Sequence, residues 1–171
     1  TYYWKVVAKN TVGDAVGCTE QSFITTSVVT YCTPNTSSGC TDGDVIAKVV
    51  LNTLINDSGT GCPSGTLGYS DYTANTSLTT TLQAGNTYNC TVSAGQYLGN
   101  YAAWIDYNDN GIFDISERIG FTATTVAGSG AVGVLGSSAS FPIVVSCSPP
   151  VGVHRLRVRE MYGLTDGSTM T

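Results

Sequence analysis

Turn-forming residues interrupt this sequence at short intervals, and their spacing limits what the chain can fold into. Gly, Pro, Asn or Ser recurs about every 8 to 15 residues, and the apolar residues between these turns lack the 3.6-residue period of a helix. Short strands joined by turns are therefore predicted along the whole chain. The pattern predicts an all-β protein that folds as an antiparallel β-sandwich of the jelly-roll or immunoglobulin-like kind.

Candidate strands bounded by turn residues fill the sequence from residue 45 onward. Seven strands in about 140 residues is the size of an ordinary β-sandwich domain. No internal repeat is apparent in this part of the sequence, which argues against a solenoid. The predicted strands are residues 45–54, 77–82, 87–93, 101–106, 118–122, 138–145 and 153–162.

The composition excludes several classes of protein. Asp, Glu, Lys and Arg make up 11% of the residues, hydrophobic residues make up 42%, and the net charge is −5. A disordered chain would combine low hydrophobicity with high charge, and a nucleic-acid-binding protein would have a basic surface. No apolar run approaches the roughly 20 residues of a membrane helix. We therefore expect an extracellular β protein that neither binds nucleic acid nor inserts into a membrane.

The cysteines also point to an oxidising compartment. Six cysteines occur without any Cys-x-x-Cys pair, and His154 is the single histidine, which disfavours zinc. Disulfides are the better interpretation, and disulfides form in secreted proteins. The sequence starts at Thr1 without a signal peptide, so it is predicted to be a mature or excised piece of a longer secreted chain.

The twelve residues from Asp106 to Glu117 have the spacing of a calcium-binding loop. With Asp106 as position 1, oxygen-bearing side chains occupy positions 3, 5 and 9, glycine occupies position 6 and glutamate position 12. The alternative is an Asn-Gly hairpin tip whose acidic residues are solvated. The predicted Ca²⁺ ligands are the side chains of Asp106, Asn108, Asn110, Asp114 and Glu117 and the carbonyl of Ile112.

A strand, rather than the helix of an EF-hand, is predicted immediately before this loop. A helix-opening switch is therefore not expected, and the ion should be structural. Few of the ligands are charged, so we expect a dissociation constant of about 10⁻⁵ to 10⁻³ M, as in extracellular modules.

Two other residue groups are candidate ligand-binding sites. Tyr69 and Tyr72 flank Ser70-Asp71 and are aromatic enough to stack on a sugar, although packing of the tyrosines in the core or across strands is the favoured interpretation. Arg155, Arg157 and Arg159 alternate along the last strand and so share one face. That face is suited to an anionic glycan or to a partner's carboxylates, but the favoured interpretation is a face that is solvated or that pairs with neighbouring strands of the same chain.

Further polar residues carry weaker signals. Asp42, Asp44 and Asp71 match no metal-loop spacing and are interpreted as surface turns, and His154 shares the side of Leu156 and is interpreted as a core histidine with satisfied hydrogen bonds. No metalloprotease helix or Gly-x-Ser-x-Gly elbow occurs, so the chain is not predicted to be an enzyme.

The first residues resemble the end of a fibronectin type III domain. The pattern Tyr-x-Trp-x-Val-x-Ala-x-Asn-x-x-Gly begins at Tyr2, and Ser-Phe-Ile-Thr-Thr follows at Ser22. Together they resemble the last two strands of that domain and define a predicted unit of residues 1–27. Two strands cannot bury a core alone. Either the upstream strands of that domain are missing from this chain, or a neighbouring domain or subunit covers the hairpin, for instance by strand addition.

Several motifs in the remainder resemble the GEVED domain of secreted Bacteroidota proteins. They are Tyr31-Cys32, Tyr69-Ser70-Asp71-Tyr72, Trp104-Ile105-Asp106-Tyr107-Asn108 with Gly111, and Glu117-Arg118. The resemblance covers about residues 31–171. It implies a β-sandwich accessory module beside fibronectin type III repeats, adhesin-like regions or secreted peptidases, exported by type IX secretion. The acidic string that names the family is absent, so the module is predicted to be incomplete at its C-terminal end.

Six cysteines allow fifteen disulfide pairings, and the sequence alone does not choose among them. The favoured pairs are Cys40 with Cys62, which closes the first long loop, and Cys90 with Cys147, which joins two strands. Cys18 and Cys32 either bridge the domain boundary or have partners outside this chain.

These observations predict a non-enzymatic, calcium-stabilised module of a large secreted or cell-surface adhesin or filament-like protein. Its partners would be neighbouring domains or subunits and surface glycans. The alternative is a carbohydrate-binding accessory module of a secreted hydrolase or peptidase that uses Tyr69, Tyr72 or Trp104.

Overall fold

The computed structural model describes residues 2–24, 29–31, 33–34, 40–62 and 68–170. The chain divides into two compact units, Thr1–Thr30 and Tyr31–Thr171. Regular structure in the described residues consists of antiparallel strands and two short 3₁₀ turns, which confirms the prediction of an all-β fold. Within the same residues, no helix is long and apolar enough to cross a membrane.

The N-terminal unit is a pair of small hairpins. Strand β1 (Tyr2–Trp4) pairs with β4 (Gln21–Phe23), and the rings of Tyr2 and Phe23 stack with centroids 5.5 Å apart. Strands β2 (Lys9–Asn10) and β3 (Gly13–Asp14) form a two-residue hairpin between them. Nearly every residue from 2 to 24 is exposed. Residues 25–28, which include the end of the predicted second strand, lie outside the described residues.

The second unit contains two sheets in its described residues. One sheet has the strand order β10-β7-β5-β6, and the other has the order β11-β8-β9, with all neighbours antiparallel. This arrangement is consistent with the predicted β-sandwich. The strands are β5 (Ile46–Leu51), β6 (Leu54–Asp57), β7 (Thr87–Ala94), β8 (Asn100–Asp106), β9 (Arg118–Phe121), β10 (Ser138–Val144) and β11 (Arg155–Met161).

The main core lies between the two sheets and places β8 at the centre of the unit. The inward side chains of β8, Tyr101 and Ala103, pack with those of β5, β7 and β10. The opposite face of β8 is also covered, because Trp104 packs with Phe113 and Met170 in a second, smaller cluster. All seven residues of β8 are buried. A strand buried on both faces requires the nearly continuous apolar run that precedes Asp106.

Two predicted strands differ from the structure. Residues 45–54 form parts of two strands, because Asn52 adopts a left-handed conformation (φ 51°) and makes a tight turn between β5 and β6. Residues 77–82 form no strand. Their polar side chains cap neighbouring turns instead: Ser77 donates to Asn75, and Thr80 accepts from the Asn52 amide.

One of the two predicted disulfides forms. Cys40 and Cys62 are bonded, as predicted. Cys90 and Cys147 are both free thiols, so that predicted pair is wrong. Cys90 is buried in β7 opposite Phe141, and Cys147 lies six residues after Phe141, about 20 Å farther along the strand direction. A disulfide needs Cα atoms within about 7 Å of each other. Cys18 is free, and Cys32 lies outside the described residues.

Candidate metal centre

The predicted calcium loop connects β8 to β9 at one edge of the three-stranded sheet. Asp106 is the last residue of β8, and Glu117 ends a 3₁₀ turn directly before β9. Both carboxylates are buried, with 0% and 6% of the residue surface exposed. Asp109 and Gly111 have positive φ angles of 53° and 83°, which turn the backbone back on itself. The loop thus brings its first and last predicted ligands into the protein interior.

Asp106 is held by neutral hydrogen-bond donors. Its Oδ1 accepts the Asn110 N–H at 3.2 Å, and its Oδ2 accepts the Gly111 N–H at 2.9 Å and the Tyr31 hydroxyl at 2.7 Å. Burial acts to raise the pKa of Asp106, but these hydrogen bonds outweigh it and leave the pKa below its ordinary value. Asp106 is therefore ionised at neutral pH. Burial and the bond to Asp106 raise the pKa of Tyr31 to about 12.

Glu117 closes the loop through backbone groups. Its Oε1 accepts the N–H groups of Tyr107 at 3.0 Å and Asn108 at 3.4 Å, and its Oε2 accepts the N–H of Asp114 at 3.2 Å. A carboxylate offers about four acceptor positions. The Glu117 side chain therefore fixes both ends of the loop and keeps acceptor capacity for a further ligand.

The remaining predicted ligands lie between these two carboxylates in the sequence. Asn108 Oδ1 accepts the Asn110 N–H at 3.0 Å, and Asn110 Oδ1 accepts the Ile112 N–H at 2.7 Å. Each amide oxygen keeps a second lone pair. Ile112 is 60% exposed, and because its side chain has no oxygen, its carbonyl is the atom predicted to bind the ion. Asp114 is exposed.

The donor set fits a hard divalent cation in its chemistry. Asp106 and Glu117 are two buried carboxylates whose hydrogen bonds, as described above, come from backbone N–H groups and a tyrosine hydroxyl. Buried negative charge is costly unless a cation compensates it, and carboxylate, amide and carbonyl oxygens are the ligands that Ca²⁺ prefers. Within the described ranges, however, no three His, Cys, Asp or Glu side chains gather into a metal cluster. The ligand assignment therefore stays a prediction.

A histidine supports the outer side of the loop. His154 Nδ1 lies 3.1 Å from Asp109 Oδ1, and its Nε2 lies 3.3 Å from the Pro150 carbonyl. The imidazole also contacts the edge of the Tyr107 ring, with centroids 5.6 Å apart. His154 thus has partners on both nitrogens, as the sequence predicted, although it packs against the loop more than in the core.

Two arginines of the ladder lie over aromatic rings of the same unit. The Arg155 guanidinium lies 3.9 Å from the centroid of the Tyr31 ring, and that of Arg157 lies 4.1 Å from the Phe113 ring. Arg155 also pairs with Asp71 at 3.4 Å. Arg155, Arg157 and Arg159 share one face of β11, as their alternation in the sequence predicted. The aromatic partners were not predicted, because Tyr31 and Phe113 are distant from the ladder in sequence.

The aromatic residues proposed for sugar stacking differ in exposure. Tyr69 and Tyr72 are half-buried, whereas Trp104 is 1% exposed and lies in the cluster with Met170. A buried ring offers no surface to a sugar, so Trp104 is excluded from that role. Between the two tyrosines, Asp71 is bonded to the hydroxyl and N–H of Thr73, which lower its pKa.

A half-buried carboxyl pair was not predicted from the sequence. Glu160, on the inner face of β11, contacts Asp44, which precedes β5. Burial is the main cause that raises the pKa of Glu160 to about 8, and the charge of Asp44 adds to it; burial also raises the pKa of Asp44. The available signal was the position of Glu160, which alternates with the arginines and so faces the core.

A known protein family matches the part of the chain that contains this loop. Residues 100–171 match the GEVED domain family. The GEVED match starts at β8 and includes the loop from Asp106 to Glu117, β9, β10 and β11, so the resemblance drawn from Trp104 to Asn108 and Glu117-Arg118 is confirmed here. The GEVED assignment of residues 31–99 and the fibronectin assignment of residues 1–27 stay predictions. No curated protein and no solved structure matches the chain.

Proposed function

We propose that this chain is part of a non-enzymatic, calcium-stabilised extracellular module with a structural or adhesive role in a large secreted or cell-surface protein. One observation carries the calcium part of the proposal: Asp106 and Glu117, at positions 1 and 12 of the loop, are buried carboxylates with only neutral hydrogen-bond donors. The Cys40–Cys62 disulfide supports an oxidising, extracellular location. The GEVED match supports a modular setting.

Calcium should contribute to stability rather than to catalysis. An ion that binds only the native state stabilises it by about 2.7 kcal/mol at a hundred times its dissociation constant. For a protein of this size, that corresponds to a Tm increase of roughly 5 to 10 °C. We expect EDTA to lower the Tm and excess Ca²⁺ to restore it.

The test is differential scanning calorimetry with EDTA or Ca²⁺ on the full chain and on two variants. Glu117→Ala removes a predicted ligand and should abolish the difference between the two conditions. Asp109→Asn removes an exposed carboxylate of the same loop and should retain the difference. The measured quantity is the difference in Tm between Ca²⁺ and EDTA for each variant. A generally lower Tm of Glu117→Ala therefore does not affect the comparison. Equal Tm values of the wild-type chain in EDTA and Ca²⁺ would reduce the loop to a hairpin connection.

The N-terminal unit supports a role as an attachment surface. The side chains of Tyr3, Trp4 and Phe23 are more than half exposed, as are several smaller apolar residues nearby. We propose that a neighbouring domain or subunit covers this hairpin by adding a strand to it. Amide exchange and light scattering test this proposal. A monomer whose N-terminal amides are fully protected from exchange would contradict it.

A further inference from the structure

Tyr31 contacts the predicted calcium loop at two points, although it lies 75 residues before the first residue of the loop. Its hydroxyl donates to Asp106 Oδ2 at 2.7 Å, and its ring packs on that of Phe113 with centroids 5.6 Å apart. Asp106 is position 1 of the loop, and Phe113 is position 8. One side chain from outside the loop therefore contacts both its first residue and its middle.

The hydroxyl of Tyr31 occupies one of the two carboxylate oxygens of Asp106. Each carboxylate oxygen offers about two acceptor positions. Oδ2 accepts two hydrogen bonds, from the Tyr31 hydroxyl at 2.7 Å and from the Gly111 N–H at 2.9 Å. Oδ1 accepts the Asn110 N–H at the longer distance of 3.2 Å. Oδ1 is therefore the oxygen of Asp106 that keeps the greater capacity to bind a cation.

Arg155 restricts the ring of Tyr31. The guanidinium carbon of Arg155 lies 3.9 Å from the centroid of this ring. The same guanidinium donates to Asp71 Oδ2 at 3.4 Å and to the Thr73 hydroxyl at 3.3 Å. Because Arg155 is itself held by these two acceptors, its contact restricts the ring, and the direction of the Tyr31 hydroxyl is restricted with it.

A carboxylate that binds a metal ion is itself held by hydrogen bonds from outside the ligand set, and these bonds orient it. Among the described residues, the other groups that donate to Asp106 are backbone N–H groups of the loop itself. The Tyr31 hydroxyl is the donor that comes from a distant segment. It can therefore hold Asp106 in place even when the loop itself changes shape.

We propose that Tyr31 is a positioning residue of the calcium site, because its hydroxyl occupies Oδ2 of Asp106 and so leaves Oδ1 for the ion. This role depends on the proposed function, since it requires calcium in the loop. Linkage makes the effect reciprocal: a side chain that strengthens calcium binding is itself held more firmly when calcium is bound. Calcium thereby regulates how firmly Tyr31, the first residue of the second unit, is held.

The first test is isothermal titration of Ca²⁺ into the full chain and into two variants. Tyr31→Phe keeps the ring, removes the hydroxyl and should raise the dissociation constant about tenfold or more. Tyr97→Phe makes the same chemical change at an exposed ring outside the loop and should leave the dissociation constant unchanged. Thermal unfolding of the same proteins in EDTA is the control for folding. A merely structural Tyr31 would lower the Tm in EDTA without changing the dissociation constant.

The second test measures the reciprocal effect in the wild-type chain, labelled with ¹³C at the Cζ atom of tyrosine. The Tyr31 resonance is the one that is missing from the spectrum of Tyr31→Phe. It should shift when Ca²⁺ is added, because the ion and the hydroxyl share the carboxylate of Asp106. The resonance of Tyr97, assigned in the same way, should not shift.

The outcomes separate this role from calcium binding itself. If the wild-type chain binds Ca²⁺ and Tyr31→Phe binds it equally well or more tightly, the positioning role is overturned and the calcium site stands. A Tyr31 resonance that is unchanged by bound Ca²⁺ also overturns the positioning role alone. A wild-type chain that binds no Ca²⁺ contradicts both.

Discussion

At the scale of single residues, Asp106 accepts a hydrogen bond from the distant Tyr31 hydroxyl, whereas Glu117 accepts hydrogen bonds from backbone N–H groups of its own loop. The twelve-residue register identified Asp106 and Glu117, and both prove to be buried. The Tyr31 hydroxyl that donates to Asp106 is 75 residues away in sequence, so no local pattern indicates it. The same reason explains why the arginine ladder was predicted as a face whereas its aromatic partners were not.

Arg118 is a further residue whose role depends on distant backbone. Its Nη1 donates to the carbonyls of Ser168 at 2.6 Å and Met170 at 2.8 Å, and so holds the last turn against Trp104. Hydrogen bonds from a charged group contribute about 1.5 to 3 kcal/mol. We expect Arg118→Ala to lower the free energy of unfolding by this amount in urea titrations. Lys48→Ala, which removes an exposed ion pair, should cost at most about 1 kcal/mol. Equal losses would contradict this role.

At the scale of elements, the turn residues in the sequence located the strands, but they did not indicate which strands pair with each other. Five of the predicted strands agree with observed ones to within two residues at each end, because each alternates between turns. The strand predicted at residues 77–82 was wrong. Threonine favours strands, but the hydroxyl groups of this segment bond to neighbouring turns instead. The wrong Cys90–Cys147 pair has a similar cause. Cysteine pairing depends on the register between β7 and β10, which the sequence does not show.

The observed disulfide makes a prediction at this scale. Cys40 and Cys62 are separated by 22 residues, and closing a loop of this length stabilises a protein by about 3 kcal/mol in the chain-entropy description. The double variant Cys40→Ser, Cys62→Ser should lose about this free energy of unfolding, measured by urea denaturation. Cys147→Ser changes an exposed free thiol and should leave stability within about 0.5 kcal/mol. A larger loss in Cys147→Ser than in the double variant would contradict the observed pairing.

At the scale of the whole molecule, the sandwich was predictable because alternating strands must bury one face. The smaller cluster on the other side of β8 was not, because Phe113 and Met170 come from a loop and the C-terminal turn. The position of β11 beside β8 also depends on strand order, which a single sequence does not determine. Asp44 precedes β5 of one sheet, and Glu160 lies on β11 of the other. Their contact therefore also depends on strand order.

That carboxyl pair makes the stability of the fold depend on pH. The pKa of Glu160 is about 8 in the folded state, against an ordinary value near 4.5, so the folded state holds a proton that the unfolded state has lost between these pH values. Stability is then complete below pH 4.5 and decreases as the pH rises toward 8, by up to about 1.4 kcal/mol per pH unit. Asp44, whose pKa is also raised, acts in the same direction.

Glu160→Gln should remove this loss. Urea unfolding at pH 5 and pH 9 should show that the variant matches the wild-type chain at pH 5 and exceeds its stability at pH 9. Glu20→Gln makes the same chemical change at an exposed position and should leave the pH dependence unaltered. A variant that is less stable than the wild-type chain at both pH values would contradict the role of Glu160.

Calcium binding by the loop of Asp106 to Glu117 is the central claim, and isothermal titration calorimetry tests it most directly. The account predicts one Ca²⁺ per chain with a dissociation constant of about 10⁻⁵ to 10⁻³ M. It also predicts that Asp106→Asn loses this binding while Asp109→Asn retains it. Absence of a saturable site, or equal binding by Asp106→Asn and the wild-type chain, would contradict the account.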